Sequence, residues 1–282
     1  MSDSWLIWWT ALCAVTVFNA GLWLHSARTL RRCERTLPAD VRATRRMLLW
    51  LSAWYVLGCG FRSALPMIDV PRICLHDTWI SRIAVGRSIA TIAEVCFAAQ
   101  WALLLREGAA VGGRPLARAM SWALVPLILV AEVFSWLAVL TSSYLLHAVE
   151  NSLWTLAAAL TVGAFAEVRA QFDDRGRRPL AAVIGGGAVY IMFMLAVDVP
   201  MYLARWQTDL AADHQALTVA EGWREILQRC TVVRDWAAWR QDAPWLSLYF
   251  SVAVWISIAL AWVPPLRAEA AADRRILTDS LR

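Results

Sequence analysis

Arg87, Thr91 and Glu94 stand at i, i+4 and i+7, so a helix would carry all three on one face. They interrupt the run from Ile83 to Leu105, which holds no other charge. A second such run, 119–141, carries one acid, Glu132. At 1.5 Å per residue, Glu94 lies about 16 Å from the start of its run and Glu132 about 14 Å from the end of its own, which are the outer ends of two antiparallel helices. That is near the midplane of a hydrocarbon core about 30 Å thick. A charge at that depth costs roughly 2.5–3.5 kcal/mol on insertion scales, so such residues face a bundle interior and find partners. Two carboxylates in one layer do not both ionise comfortably, and one is expected to hold a proton. This arrangement suits general acid–base catalysis, proton coupling or cation binding. A structural ion pair with Arg87 would use the same residues.

A second polar layer is expected nearer the outer end. Arg62 closes one apolar run, Pro66 and Pro71 stiffen the chain that follows, and Asp69, Arg72, Asp77 and Arg82 add alternating charges. Asp198 enters from another run, two residues before Pro200. Glu94, Glu132 and Asp198 are the expected acid–base groups. Arg62, Arg82 and Arg87 are the expected anion anchors, because a guanidinium fork matches phosphate and carboxylate; ordinary interfacial salt bridges would use the same residues. His147 and Glu150, at i, i+3, are candidate metal ligands that Asp77 would complete. No two histidines share a ligand spacing, which weighs against a histidine-built zinc site, and no apolar run holds a mid-membrane histidine for haem. Cys74 and Cys230 are expected in outer loops at similar height and paired as a disulfide. No Cys-x-x-Cys occurs, which argues against a dithiol exchange enzyme.

These residues need elements to hold them, and the composition dictates which. Hydrophobic residues make up 60% of the chain and charged ones 17%, against about 25% charged in soluble domains. No charge occurs between Asp3 and His25, Arg178 and Asp198, or Asp242 and Arg267. Each stretch can cross a bilayer, which takes roughly 20 apolar residues. The first lacks a basic leader and a small-residue cleavage site, so it reads as a retained helix. The expected fold is an all-α integral membrane protein of one domain over 1–282, a bundle of seven transmembrane helices. They are placed near 5–25, 47–65, 83–105, 119–141, 148–169, 180–203 and 245–265. The long loop 205–244 holds a short amphipathic helix, because Thr218 and Glu221 fit a capping box and Ala220, Trp223, Leu227 and Cys230 recur at helical spacing.

Orientation follows from arginine. Alternate connections and the C-terminal end hold 18 arginines on one side: Arg28 to Arg46, Arg106 to Arg118, Arg169 to Arg178, and Arg267 to Arg282. The other side holds seven, five of them in the 205–244 loop beside six acids. Positive loops stay inside, so the N-terminus is expected outside and the C-terminus in the cytoplasm, with a bacterial inner membrane as the expected location. Most of the 18 tryptophans fit an interfacial belt.

All 27 basic residues are arginine. The absence of lysine excludes a retinal or pyridoxal Schiff base and a P-loop. The net charge of +5 is explained by membrane orientation rather than by nucleic acid. The expected partners are the lipid bilayer and a lipid or amphiphile ligand, and no cofactor is identifiable. The reading favoured on sequence is a membrane-embedded enzyme with an outward-facing polar pocket, acting on a lipid or small amphiphile by acid–base chemistry. The alternatives are a proton- or cation-coupled transporter and a seven-helix sensor or assembly subunit.

Overall fold

A long apolar run has to satisfy its own backbone hydrogen bonds if no water surrounds it, and a helix is the way a single segment does so. In the computed structural model 83% of the described residues are helical. It describes residues 4–33, 35–112, 114–170, 174–228 and 230–263. Arg229, Arg267, Arg274, Arg275 and Arg282, used above for orientation, and the tail from Leu266 lie outside the described residues.

The long helices are α1 (Ser4–Cys33), α2 (Ala39–Ala64), α3 (Ile83–Gly112), α4 (Pro115–Thr141), α5 (Tyr144–Arg169) and α6 (Asp174–Phe193). A π-turn, Met194–Asp198, continues α6 into α7 (Val199–Ala211). Pro200 has no N–H for the i−4 carbonyl, which frees the ladder at this point and accommodates the wider turn. After α8 (Val219–Gln228) and α9 (Trp236–Trp239), α10 (Ala243–Leu248) passes through a second π-turn, Tyr249–Ala253, into α11 (Val254–Leu260). Successive helices pack as neighbours from α1 to α6, and α11 returns against α1, α2 and α3.

Five helical segments are long and apolar enough to cross a membrane: Ser4–Cys33, Ile83–Ala110, Pro115–Thr141, Arg177–Ala211 and Ala243–Leu260. Helices α2 and α5 are of similar length but more polar; α2 carries Asp40, Arg42, Arg45, Arg46 and Arg62. Trp54, Leu57, Val130, Val133, Met192 and Leu195 point away from the bundle and are more than half exposed or nearly so. An apolar belt of this kind fits a lipid solvent better than water. The chain is an all-α, membrane-embedded type of protein.

One end of the bundle carries a small sheet. Strand β1 (Met67–Ile68) pairs antiparallel with β2 (Ile73–Cys74), which pairs parallel with β3 (Thr231–Val232). A disulfide joins Cys74 to Cys230 and so ties the hairpin to the long loop. Arg72, in a left-handed conformation at φ 68°, clamps the same region. Its guanidinium donates to the Val139 carbonyl at the end of α4 (2.9 Å) and pairs with Glu225 of α8 (2.7 Å). Helix α8 has the expected capping box: the Thr218 amide and hydroxyl donate to Glu221, whose own amide donates back to the Thr218 hydroxyl. The buried face of α8 differs from the one its spacing suggested. It runs through Gly222 and Ile226, while Ala220, Trp223 and Leu227 are exposed. Gly222 allows this, because a Cβ there would collide with the Leu140 carbonyl.

Candidate functional site

Arg87, 4% exposed, sits inside the bundle as the hub of a charged layer. Its Nη2 lies 2.8 Å from Glu94 Oε2 and 2.7 Å from Glu132 Oε2. Its Nη1 faces Asp69 at 3.7 Å and Glu150 at 3.9 Å. The helical spacing on α3 brings Arg87 and Glu94 onto one face, and α4 delivers Glu132 to the same depth. Thr91, between them, donates to Glu132 Oε2 at 2.5 Å and accepts from the Trp136 indole at 3.1 Å.

Asp69 arrives from outside the helices. The hairpin between β1 and β2 presses onto α3 because Gly86 has no side chain; a Cβ there would collide with the Met67 sulfur. Asp69 is thereby set between Arg87 and Arg62, whose Nη2 is 3.5 Å away and also donates to the Met67 carbonyl at 3.2 Å. Helix α5 begins at Tyr144, earlier than the expected 148, which puts His147 and Glu150 on its first turns. His147 Nδ1 and Glu150 Oε2 are 2.8 Å apart, and both residues are buried.

The two π-turns each place one residue at this layer. Tyr249 opens the second turn and donates its hydroxyl to Glu94 Oε1 at 2.8 Å. Asp198 closes the first, is 3% exposed, and faces Glu150, Asp242, His147 and Arg205 electrostatically. Wide turns of this type recur at functional sites because they re-aim side chains that a regular helix would misplace.

A chain of polar and aromatic groups leads from the layer to the sheet end. The Tyr202 ring lies 5.2 Å from His147, and Arg205 sits 5.6 Å over Tyr202 and 5.8 Å over Tyr144. Arg205 holds Asp242 through two bonds of 3.2 and 3.1 Å. A cavity of about 290 Å³ opens beside Tyr144, Arg205 and Asp242, with Ile68 and Pro71 also in its wall.

The expected residues thus divide. Glu94, Glu132, Arg87, Arg62 and the His147–Glu150 pair come together, with Asp198 beside them. Arg82 and Asp77 do not join: both are exposed and have no ion pair among the described residues. The His76 ring lies tilted against Trp9, 5.0 Å between centroids, and burial, then the Arg234 charge, hold its imidazole below the usual range. The anion-clamp role expected of the arginines finds Arg62 and Arg87 already facing carboxylates. Tyr249, Tyr202 and Arg205 escaped sequence reasoning, as did the position of Asp69 beside Arg87. Only Asp69 had a signal, a charge lodged between two helix-breaking prolines.

Glu94, Glu132 and Glu150 each offer an oxygen within 4.8 Å of the other two. Glu132 Oε1 is buried without a hydrogen-bond partner, as are the Tyr55 hydroxyl and the Nε atoms of Arg62 and Arg87. No family model, curated protein or solved structure matches this chain.

Proposed function

We propose that the protein is a proton- or cation-coupled membrane transporter whose buried carboxylate layer exchanges its cation with the outer face. The observation that carries this reading is a charge imbalance. Asp69, Glu94, Glu132 and Glu150 bring four negative charges to Arg62 and Arg87, which supply two positive ones. Buried charge without compensation is strongly unfavourable, so protons or another cation complete the layer. The groups from His147 through Tyr202 to Arg205 supply a route between that layer and the cavity at the sheet end.

In this reading α2 and α5 cross the membrane with the five more apolar segments, because they pack between them and carry part of the site. That makes seven spans in a single domain over 1–282, with the arginine-rich end in the cytoplasm of a bacterial inner membrane and the 205–244 loop outside. The test is ion flux in proteoliposomes with imposed gradients of protons, Na⁺ or Ca²⁺. Wild-type protein is expected to dissipate at least one gradient faster than empty liposomes, and Glu132→Gln to remove that difference. Equal leakage from both with every gradient would overturn the proposal.

A second reading, a membrane-embedded enzyme acting on a lipid or amphiphile, is favoured by one contact. Tyr249 and Glu94 form a hydrogen-bonded acid pair next to Tyr55, whose own hydroxyl is unpartnered. Glu94→Gln would then abolish turnover while leaving the protein folded; undiminished turnover in that variant would rule this reading out.

A further inference from the structure

Glu132 uses one carboxylate oxygen fully and the other not at all. Oε2 accepts from both Arg87 and Thr91, whereas Oε1 is buried, partnerless, and belongs to a side chain 3% exposed. Orphaned acceptors at such burial are uncommon and mark an absent water, proton or ion. Glu150 has a parallel asymmetry. Its Oε2 is held by His147 at 2.8 Å, while Oε1 has only the distant Arg87 at 3.9 Å. The third member, Glu94, is fixed by Arg87 at one oxygen and Tyr249 at the other.

From this geometry we infer that Glu94, Glu132 and Glu150 form the coordination face of a site for one hard divalent cation of about calcium size. The inference rests on the cation-coupled reading and names its cation. Three oxygens within 4.8 Å of one another all lie within about 2.8 Å of a common point. That is a few tenths of an ångström outside the roughly 2.3–2.6 Å of calcium–oxygen bonds, so a small contraction completes the site. Magnesium needs a tighter and more regular shell, and an all-carboxylate set does not favour the softer zinc or copper ions. One divalent charge also cancels the deficit of two left by Arg62 and Arg87. His147 is a positioning residue here: by hydrogen-bonding Glu150 Oε2 it fixes the orientation of that carboxylate, as outer partners of metal ligands commonly do. Binding displaces the protons that otherwise complete the layer, so affinity falls as pH falls.

The test uses full-length, chelator-treated protein in detergent, titrated with Mn²⁺ and read by the loss of free-ion paramagnetic resonance. Wild type is expected to take up one saturable Mn²⁺ per chain, displaced by Ca²⁺, with a dissociation constant below about 1 mM. Glu132→Gln and Glu150→Gln should each weaken binding at least tenfold, and either one suffices if the other fails to fold. Glu225→Gln, which alters only the ion pair with Arg72 at the sheet end, should leave binding unchanged. Absence of saturable Mn²⁺ binding in wild type, or equal binding in both layer variants, overturns the inference. If wild type binds no Mn²⁺ yet shows proton flux that depends on Glu132, the divalent site falls and the coupled-transport reading stands. Mn²⁺ binding without flux supports the site and removes transport.

Discussion

Arg87 answers two carboxylates through one nitrogen and faces two more through another, so its loss leaves buried negative charge with no local partner. Removing one member of a buried ion pair costs about 3–5 kcal/mol, and Arg87→Met is expected to fall in that range. Thermal unfolding in detergent measures it, and an unchanged midpoint would show that the layer is not held by this residue. Asp69→Asn should cost clearly less, because its contacts to Arg62 and Arg87 are 3.5 and 3.7 Å. This part of the site was legible from the sequence. An arginine and two glutamates inside apolar runs, at matched depth and helical spacing, have few places to go but inward. Tyr249 was not legible, because its approach to Glu94 depends on a π-turn that shifts the register of the last helix. Asp77 and Arg82 were legible only as charges near the right end. Asp69 differs from them in lying between Pro66 and Pro71, in the hairpin that turns it inward while they stay at the surface.

At the scale of elements, α8 shows how backbone contact overrides side-chain pattern. Its spacing pointed to a face through Trp223 and Leu227, but the close approach of Gly222 to the Leu140 carbonyl rotates the helix to bury Ile226. Gly222→Ala is therefore expected to displace α8 and destabilise its docking by about 1–3 kcal/mol. Faster amide exchange over Val219–Gln228 would report it, and unchanged exchange would contradict the packing. The capping box adds a pH dependence. Hydrogen bonds from the Thr218 hydroxyl, then its amide, hold the Glu221 carboxyl below its ordinary value of 4.5. A carboxyl with a depressed value stabilises the folded helix fully above that ordinary value and loses the contribution as pH falls through the depressed one. Exchange in the first turn of α8 should accelerate in that acid window, and Glu221→Gln should flatten the response. The helices themselves were the most legible feature, since each long apolar run had to satisfy its own backbone. Their π-turns were not, because Pro200 signals a kink without specifying its width and Tyr249 has no such marker.

The whole molecule is organised from the sheet end inward. Cys74–Cys230 spans 156 residues of sequence, Arg205 pairs with Asp242 across the long loop, and Arg72 links the hairpin to α4 and α8. These ties hold the hairpin that sets Asp69 against Arg87. Cys74→Ser with Cys230→Ser should lower stability by about 2–5 kcal/mol, measured by unfolding under non-reducing conditions. It should also weaken Mn²⁺ binding less than Glu132→Gln does, since the ligands lie on α3, α4 and α5. Equal losses would mean that the sheet end forms part of the ion site. The central claim is that the Glu94–Glu132–Glu150 layer holds an exchangeable cation, and infrared absorption of buried carboxyl groups addresses it most directly. In chelator-treated protein the account predicts a protonated-carboxyl band that shifts in D₂O and fades as pH rises or Mn²⁺ is added. A spectrum with no such band near neutral pH, or one indifferent to D₂O, pH and Mn²⁺, would contradict it.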